Sequence, residues 1–217
     1  MTKDAIWEAN HGNYVPLISI IIIIAQWAIW KQVQGYYSTK ISSTTETAFQ
    51  RAIILGETSL IDNEIVEWLD IELPVDKHRR ARGHCVDLIG KSISGFIICE
   101  LKFGSNSATD SPSYAEEELK RYCKDIEDNY SVLDNSNVHH KNGKMFLWKD
   151  IAKNARYIIA ANNQYWEYWL NHRKVELPHE IACYSISVDA MCFKQQKGKN
   201  VTYTPILPKC DWNKVEK

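Results

Sequence analysis

The chain has 217 residues, 45% apolar and 24% charged, with a formal net charge of −1. That length suits one folded domain with an appendage, and the composition is that of a soluble fold with a sizeable core. The near-neutral balance excludes a global positive field for a polyanionic partner, so any nucleic-acid surface has to be a local patch.

The six cysteines are Cys85, Cys99, Cys123, Cys183, Cys192 and Cys210, and none forms a CxxC pair. This spacing argues against a zinc ribbon or a clustered iron–sulfur site. Cys85, Cys99 and Cys183 lie in apolar runs, where a thiol behaves as a small hydrophobe. The expected compartment is a reducing one.

In chain order, the first feature is "YVPLISIIIIIAQWAIW", residues 14–30. A helix over this run would reach about 25 Å, just short of a hydrocarbon core. Tyr14 at one end, with Trp27 and Trp30 at the other, resembles an aromatic belt. The run fits a membrane anchor, and it equally fits a buried helix or strand of a soluble protein. Lys31 and Lys40 follow it, which favours a cytoplasmic position for the rest of the chain, free or anchored to the cytoplasmic face of a membrane. No small-residue cleavage site marks it as a removed signal peptide. With the linker "GYYSTKISS" behind it, the division is residues 1–40 as an apolar segment and 41–217 as the folded domain.

"TTETAFQRAIILGE" predicts a helix, with Phe49, Ile53 and Ile54 at helical spacing and Ser43 as its cap. "SLIDNEIVEWLDI" predicts a second helix, with Ile61, Ile65, Trp68 and Leu69 on one face and Pro74 as its stop. The period then changes. "GHCVDLIG" and "SGFIICELKFG" are apolar runs bounded by glycines, the signature of a β-hairpin. "SPSYAEEELKRYCKDIEDNY" predicts a long helix capped by Ser111, with Pro112 at its first position. "ARYIIAA" predicts a third strand. "NQYWEYWLNH" predicts an aromatic helix or turn, in which Tyr165, Trp166, Tyr168 and Trp169 serve packing or base stacking. "HEIACYSISVDA" predicts a fourth strand. Strands covered by helices imply an α/β fold with a mixed sheet.

One pattern carries chemistry. Glu100 and Lys102 are two apart on a strand, so they share a face with Phe96 and Ile98. A face that turns from apolar to charged along one strand fits the edge of a cleft. Asp87 lies on the partner strand of the hairpin, within reach of Glu100. Two carboxylates so placed repel, and a hard divalent cation removes the repulsion. A lysine beside them can orient a metal-bound water or stabilise a phosphate.

Asp87, twelve residues, Glu100, one residue, Lys102: this arrangement resembles the motif of the PD-(D/E)XK nuclease superfamily, with Val86 where the name has proline. The resemblance covers roughly residues 43–189. It implies a restriction-endonuclease-like core, a central mixed β-sheet flanked by helices. It implies metal-dependent hydrolysis of DNA phosphodiester bonds with Mg²⁺ or Mn²⁺. Asp87 and Glu100 would bind the metal together with the backbone carbonyl of Leu101, and Lys102 would assist the attacking water. Glu46, on the first helix, is the candidate further acid, although Ser43-Thr-Thr-Glu46 also reads as a capping box. Glu118 and Tyr122 stand where some branches carry Gln-x-x-x-Tyr, with Glu for Gln. Arg79, Arg80 and Arg82, in "HRRAR", are candidate phosphate contacts. The expected partner is DNA, with a homodimer as the assembly many double-strand cutters use. The rival reading is a non-catalytic nucleic-acid-binding module on the same fold, free or tethered to a membrane.

Overall fold

The computed structural model describes residues 45–75, 85–104, 111–135, 146–187, 194–197, 200–203 and 211–216. The predicted apolar segment 14–30, the linker, the Ser43 cap and the "HRRAR" stretch lie outside them. Among the described residues no helix is long and apolar enough to cross a membrane.

The first helix, α1, runs over Thr45–Leu55 and buries Phe49, Ala52, Ile53 and Ile54. The next stretch corrects the sequence reading. "SLIDNEIVEWLDI" is not a helix but a hairpin of β1 (Thr58–Ile61) and β2 (Glu64–Pro74). Asp62 and Asn63 form its two-residue turn with φ of 50° and 65°, the left-handed pair that suits the twist of paired strands. Burial alternates with a period of two. Ser59, Ile61, Val66 and Trp68 are buried, whereas Leu60, Ile65 and Glu67 face solvent. Ile65 is 70% exposed, so the helical face assigned to it does not exist.

β3 (Cys85–Ser92) and β4 (Gly95–Lys102) form the expected hairpin, and β3 also pairs antiparallel with β2. Where Trp68 pairs with Gly90, a side chain on the glycine would meet the Trp68 ring within 2.9 Å. That close approach is why the position is glycine. The long helix α2 spans Pro112–Asn135, and the Tyr114 N–H donates to Ser111 Oγ at 3.2 Å, the cap read from sequence. A short α3 (Trp148–Asn154) leads into β5 (Arg156–Asn162), which lies parallel to β4. α4 (Asn163–Trp166) continues as a π-helical turn over Glu167–His172. Tyr165, Trp166 and Trp169 are buried there, so they serve packing. β6 (Ala182–Ile186) is parallel to β5. β7 (Lys194–Lys197) and β8 (Asn200–Tyr203) form a separate two-stranded hairpin.

The last strand, β9 (Asp211–Lys214), decides the architecture. It inserts between β6, antiparallel, and β1, parallel, so that Trp212 pairs with both Ile186 and Ile61. The order β1-β2-β3-β4-β5-β6-β9 closes into a seven-stranded mixed barrel. The expected restriction-endonuclease-like core, an open central sheet flanked by helices, is therefore overturned. The physical reason is that β1 and β2 extend the sheet where a helix was expected. β9 then satisfies the two remaining edges, which would otherwise be open rows of unpaired backbone groups.

α2, α3 and α4 cover one face of β3–β5. Leu119, Tyr122 and Ile126 of α2, Trp148 and Ile151 of α3, and the α4 aromatics share a core with Ile89, Phe96, Ile98, Ile159 and Ala161. Such burial of apolar area, at about 25 cal/mol per Å², is what fixes α2 over the strands that carry the charged residues.

Candidate active site

The β3–β4 ladder pairs Leu88 with Cys99 as its last rung. Asp87 stands one residue beyond, and here side chain replaces main chain. Its Oδ2 accepts the N–H of Leu101 at 2.8 Å. In an extended strand the carbonyl of a residue faces the same edge as its N–H, so the Leu101 carbonyl also faces the β3 edge. From the other side α1 delivers Gln50, which is buried. Its Nε2 donates to the Asp87 main-chain oxygen at 3.0 Å and to Asp87 Oδ1 at 3.1 Å.

Glu100 and Lys102 lie on the face of β4 that also holds Phe96 and Ile98, under α2. They are only 3% and 6% exposed. Lys102 Nζ is 2.7 Å from Glu100 Oε1 and 3.1 Å from Glu118 Oε2 on α2. Glu118 is also held by Arg121 at 3.6 Å. Glu100 Oε2 is buried and has no hydrogen-bond partner among the described residues. Tyr122, one turn beyond Glu118, is buried against the same group.

The electrostatics follow from this packing. Burial pushes the Asp87 carboxyl up to about 6; Lys102 and the Leu101 N–H hold it down, and Glu118 and Glu72 push it further. Asp87 nonetheless keeps some exposed surface. Burial, then the charge of Asp87, raise Glu100 well above the usual carboxylate range. Burial alone would lower Lys102, but Glu100, Asp87 and Glu118 together outweigh it and raise its pKa. Lys102 is therefore a permanent cation at neutral pH. Burial and the same carboxylates also raise the Tyr122 hydroxyl, which stays protonated and able to donate.

Of the residues expected at the site, Asp87, Glu100, Lys102, Glu118 and Tyr122 come together. Glu46 lies one helical turn before Gln50 on α1, and so shares the helix side that meets Asp87. Arg79, Arg80 and Arg82 lie outside the described residues. Sequence reasoning missed three neighbours. Gln50 was one polar residue in an amphipathic helix, and only its burial marks it. Glu72 follows the stretch predicted as a helix; it sits on β2 between Ile71 and Leu73, which pair with Leu88 and Val86, and so lies opposite Asp87. Its φ of 49° is left-handed. Asn162 ends β5, and its Oδ1 accepts the Gly104 N–H at 3.1 Å and the Tyr165 N–H at 3.3 Å. That fixes the chain as it leaves β4 after Lys102.

Among the described residues no group of three or more His, Cys, Asp and Glu side chains forms a metal cage by itself. The donors present suit a different mode. One or two carboxylates with water and phosphate completing the shell is how Mg²⁺ is ordinarily held. A buried carboxylate oxygen without a donor, Glu100 Oε2, fits such a cation. No family model matches the chain, and no curated protein or solved structure matches it either.

Proposed function

We propose that this protein is a metal-dependent nuclease that hydrolyses DNA phosphodiester bonds. Asp87 and Glu100 bind Mg²⁺ or Mn²⁺ with the Leu101 carbonyl, and Lys102 orients the attacking water. The observation that carries the reading is Glu100 Oε2, buried and, among the described residues, unpartnered, beside a lysine that already pairs with Glu100 Oε1 and Glu118. A buried carboxylate oxygen left so is satisfied by a proton or by a hard cation, and the neighbouring Asp87 suits the second. The reading rests on the residues of the PD-(D/E)XK-like motif and not on the fold.

When bound, the cation supplies charge neutralisation at the scissile phosphate and a more acidic water. The chain's own residues supply the rest. Burial favours the protonated forms of Asp87 and Glu100; both give up those protons on binding a cation, and in a desolvated pocket the resulting charge attracts it strongly. Lys102 stays protonated, so it acts as an electrostatic clamp on the phosphate and on the water rather than as the proton acceptor. Water adds to phosphorus and gives up one proton to solvent, the P–O bond to the leaving sugar oxygen breaks, and that oxygen takes a proton from solvent. Glu46 is the candidate additional acid from α1, and Arg79, Arg80 and Arg82 are candidate phosphate contacts.

The test is incubation of the purified full chain with plasmid DNA and, separately, RNA. Mg²⁺ or Mn²⁺ should support DNA cleavage and EDTA should stop it. Cleavage that survives both Asp87→Ala and Lys102→Ala overturns the proposal. DNA binding with no calorimetric uptake of Mn²⁺ identifies a non-catalytic binding module instead.

A further inference from the structure

We infer that Gln50 is the positioning residue for the cation-binding carboxylate: it grips Asp87 at both main chain and side chain and sets the direction in which its oxygens face. The inference rests on the metal reading above and assigns α1 a defined part in it.

Gln50 spends both hydrogens of its Nε2 on one residue, the Asp87 carbonyl at 3.0 Å and Oδ1 at 3.1 Å. Rotation of the Asp87 side chain breaks one bond while the other still holds the backbone. The site needs such a grip. Ile71 pairs with Leu88 and Leu73 with Val86, but Glu72 between them turns to a left-handed φ of 49°. β2 thus departs from regular strand geometry opposite Asp87. On the β4 side the ladder has already ended at Leu88.

The chemistry of the grip is selective. Gln50 is 4% exposed, and burying an amide is costly unless it is bonded. Its donor is neutral. The Leu101 N–H on Oδ2 is neutral as well. Each Asp87 oxygen therefore has one oriented donor and keeps lone-pair capacity for a cation. Among the described residues no cation opposes the carboxylate's charge at contact distance. Glu100 differs, since Lys102 neutralises its Oε1 directly. Outer partners of this type orient metal ligands, and their loss typically weakens affinity by about 10- to 100-fold.

The experiment measures Mn²⁺ binding by calorimetry on the full chain, with no activity readout. Gln50→Met keeps the side chain's length and removes the donor; Gln50→Leu is the second apolar variant should the first fail to fold. Gln50→His restores a neutral N–H at the same number of bonds from Cβ. We expect binding in the parent protein, about 10- to 100-fold weaker binding in the apolar variants, and at least partial recovery with histidine. Recovery separates positioning from a packing defect, which histidine would not repair. Parent-like affinity in folded Gln50→Met or Gln50→Leu overturns the inference alone. Equal weakening in the apolar and histidine variants overturns it too. A parent protein that takes up no Mn²⁺ overturns this inference and the metal reading together.

Discussion

The backbone N–H of Leu101 on β4 donates to the carboxylate of Asp87 on β3 at 2.8 Å. Two strands of the barrel are thus joined at the site by a side chain rather than by another rung. A ligand that pulls on Asp87 pulls on the main chain that carries Glu100 and Lys102.

Asp87→Asn and Asp87→Ala separate these roles. Asparagine keeps an oxygen that accepts from Leu101, whereas alanine leaves that N–H without its acceptor. Each variant should lose at least about 100-fold in DNA cleavage, since a charged group at the reacting centre is gone. Asp87→Ala should lose about 1–3 kcal/mol of stability, and Asp87→Asn less, because it keeps the Leu101 bond while setting its NH2 against the Gln50 donor. Gel-based cleavage rates and chemical denaturation measure the two effects. Full cleavage by Asp87→Asn would remove Asp87 from the site.

The pH dependence has a fixed sign. Asp87 holds its proton up to about 6 in the folded chain, against an ordinary 3.8. Between these values the folded state binds more protons than the unfolded one. This contribution to stability is complete below about pH 4 and is lost as pH rises through about 6. A divalent cation needs the ionised form, so its stabilising effect should grow over the same interval. Melting curves with and without Mn²⁺ at about pH 5 and about pH 7.5 test this. An equal Mn²⁺ effect at both would contradict it.

Lys102→Met should be among the most destabilising single substitutions at the site. It removes the cation between Glu100 and Glu118 and leaves a buried carboxylate uncompensated. Breaking a buried pair in this way costs about 3–5 kcal/mol, an amount that Glu100 can reduce by taking up a proton. Adding Glu100→Gln should recover part of the loss. A Lys102→Met protein as stable as the parent in denaturant titration would show that the observed pair is not maintained in solution.

Away from the site, Asp62 ties the β1–β2 turn to the far side of the barrel. It accepts from the Tyr184 hydroxyl at 2.5 Å and from Arg156 at 2.7 Å. Burial works against its charge, but these two partners outweigh it and hold its pKa below the ordinary value. Its stabilising effect is therefore present above the ordinary carboxylate pKa and fades as pH falls through the lowered one. The pair is about 40% exposed on both sides, so solvent screening limits its worth. Asp62→Ala should cost about 1 kcal/mol, a fall of about 2–4 °C in melting temperature at neutral pH. No change there would remove the turn from the list of barrel fasteners.

The sequence was most legible where one local rule decided the outcome. Period-two alternation placed Glu100 and Lys102 on a common face, and Ser111 with Pro112 marked the start of α2. It misled where two rules competed. Ile61, Ile65, Trp68 and Leu69 satisfy helical spacing, yet Asp62-Asn63 is a turn pair, and the turn prevailed because its backbone matches a hairpin. It was silent where tertiary structure decides. In "DWNK" Trp212 is buried and Asn213 and Lys214 are exposed, too short a pattern to show a period; only the two open edges it joins make it a strand. Gln50 was silent for the same reason, because an amide in a helix becomes significant only through what it is buried against.

Closure by β9 has a consequence for how the chain is made. The strand that joins β1 to β6 is the last of the described strands to leave the ribosome. During synthesis, β1 and β6 wait with unsatisfied edges, one made early and the other late. Pairings this distant in sequence are slow to form, and waiting edges invite contact with other chains. Yield of the intact protein should therefore depend on chaperone supply and growth temperature more than its finished stability would suggest.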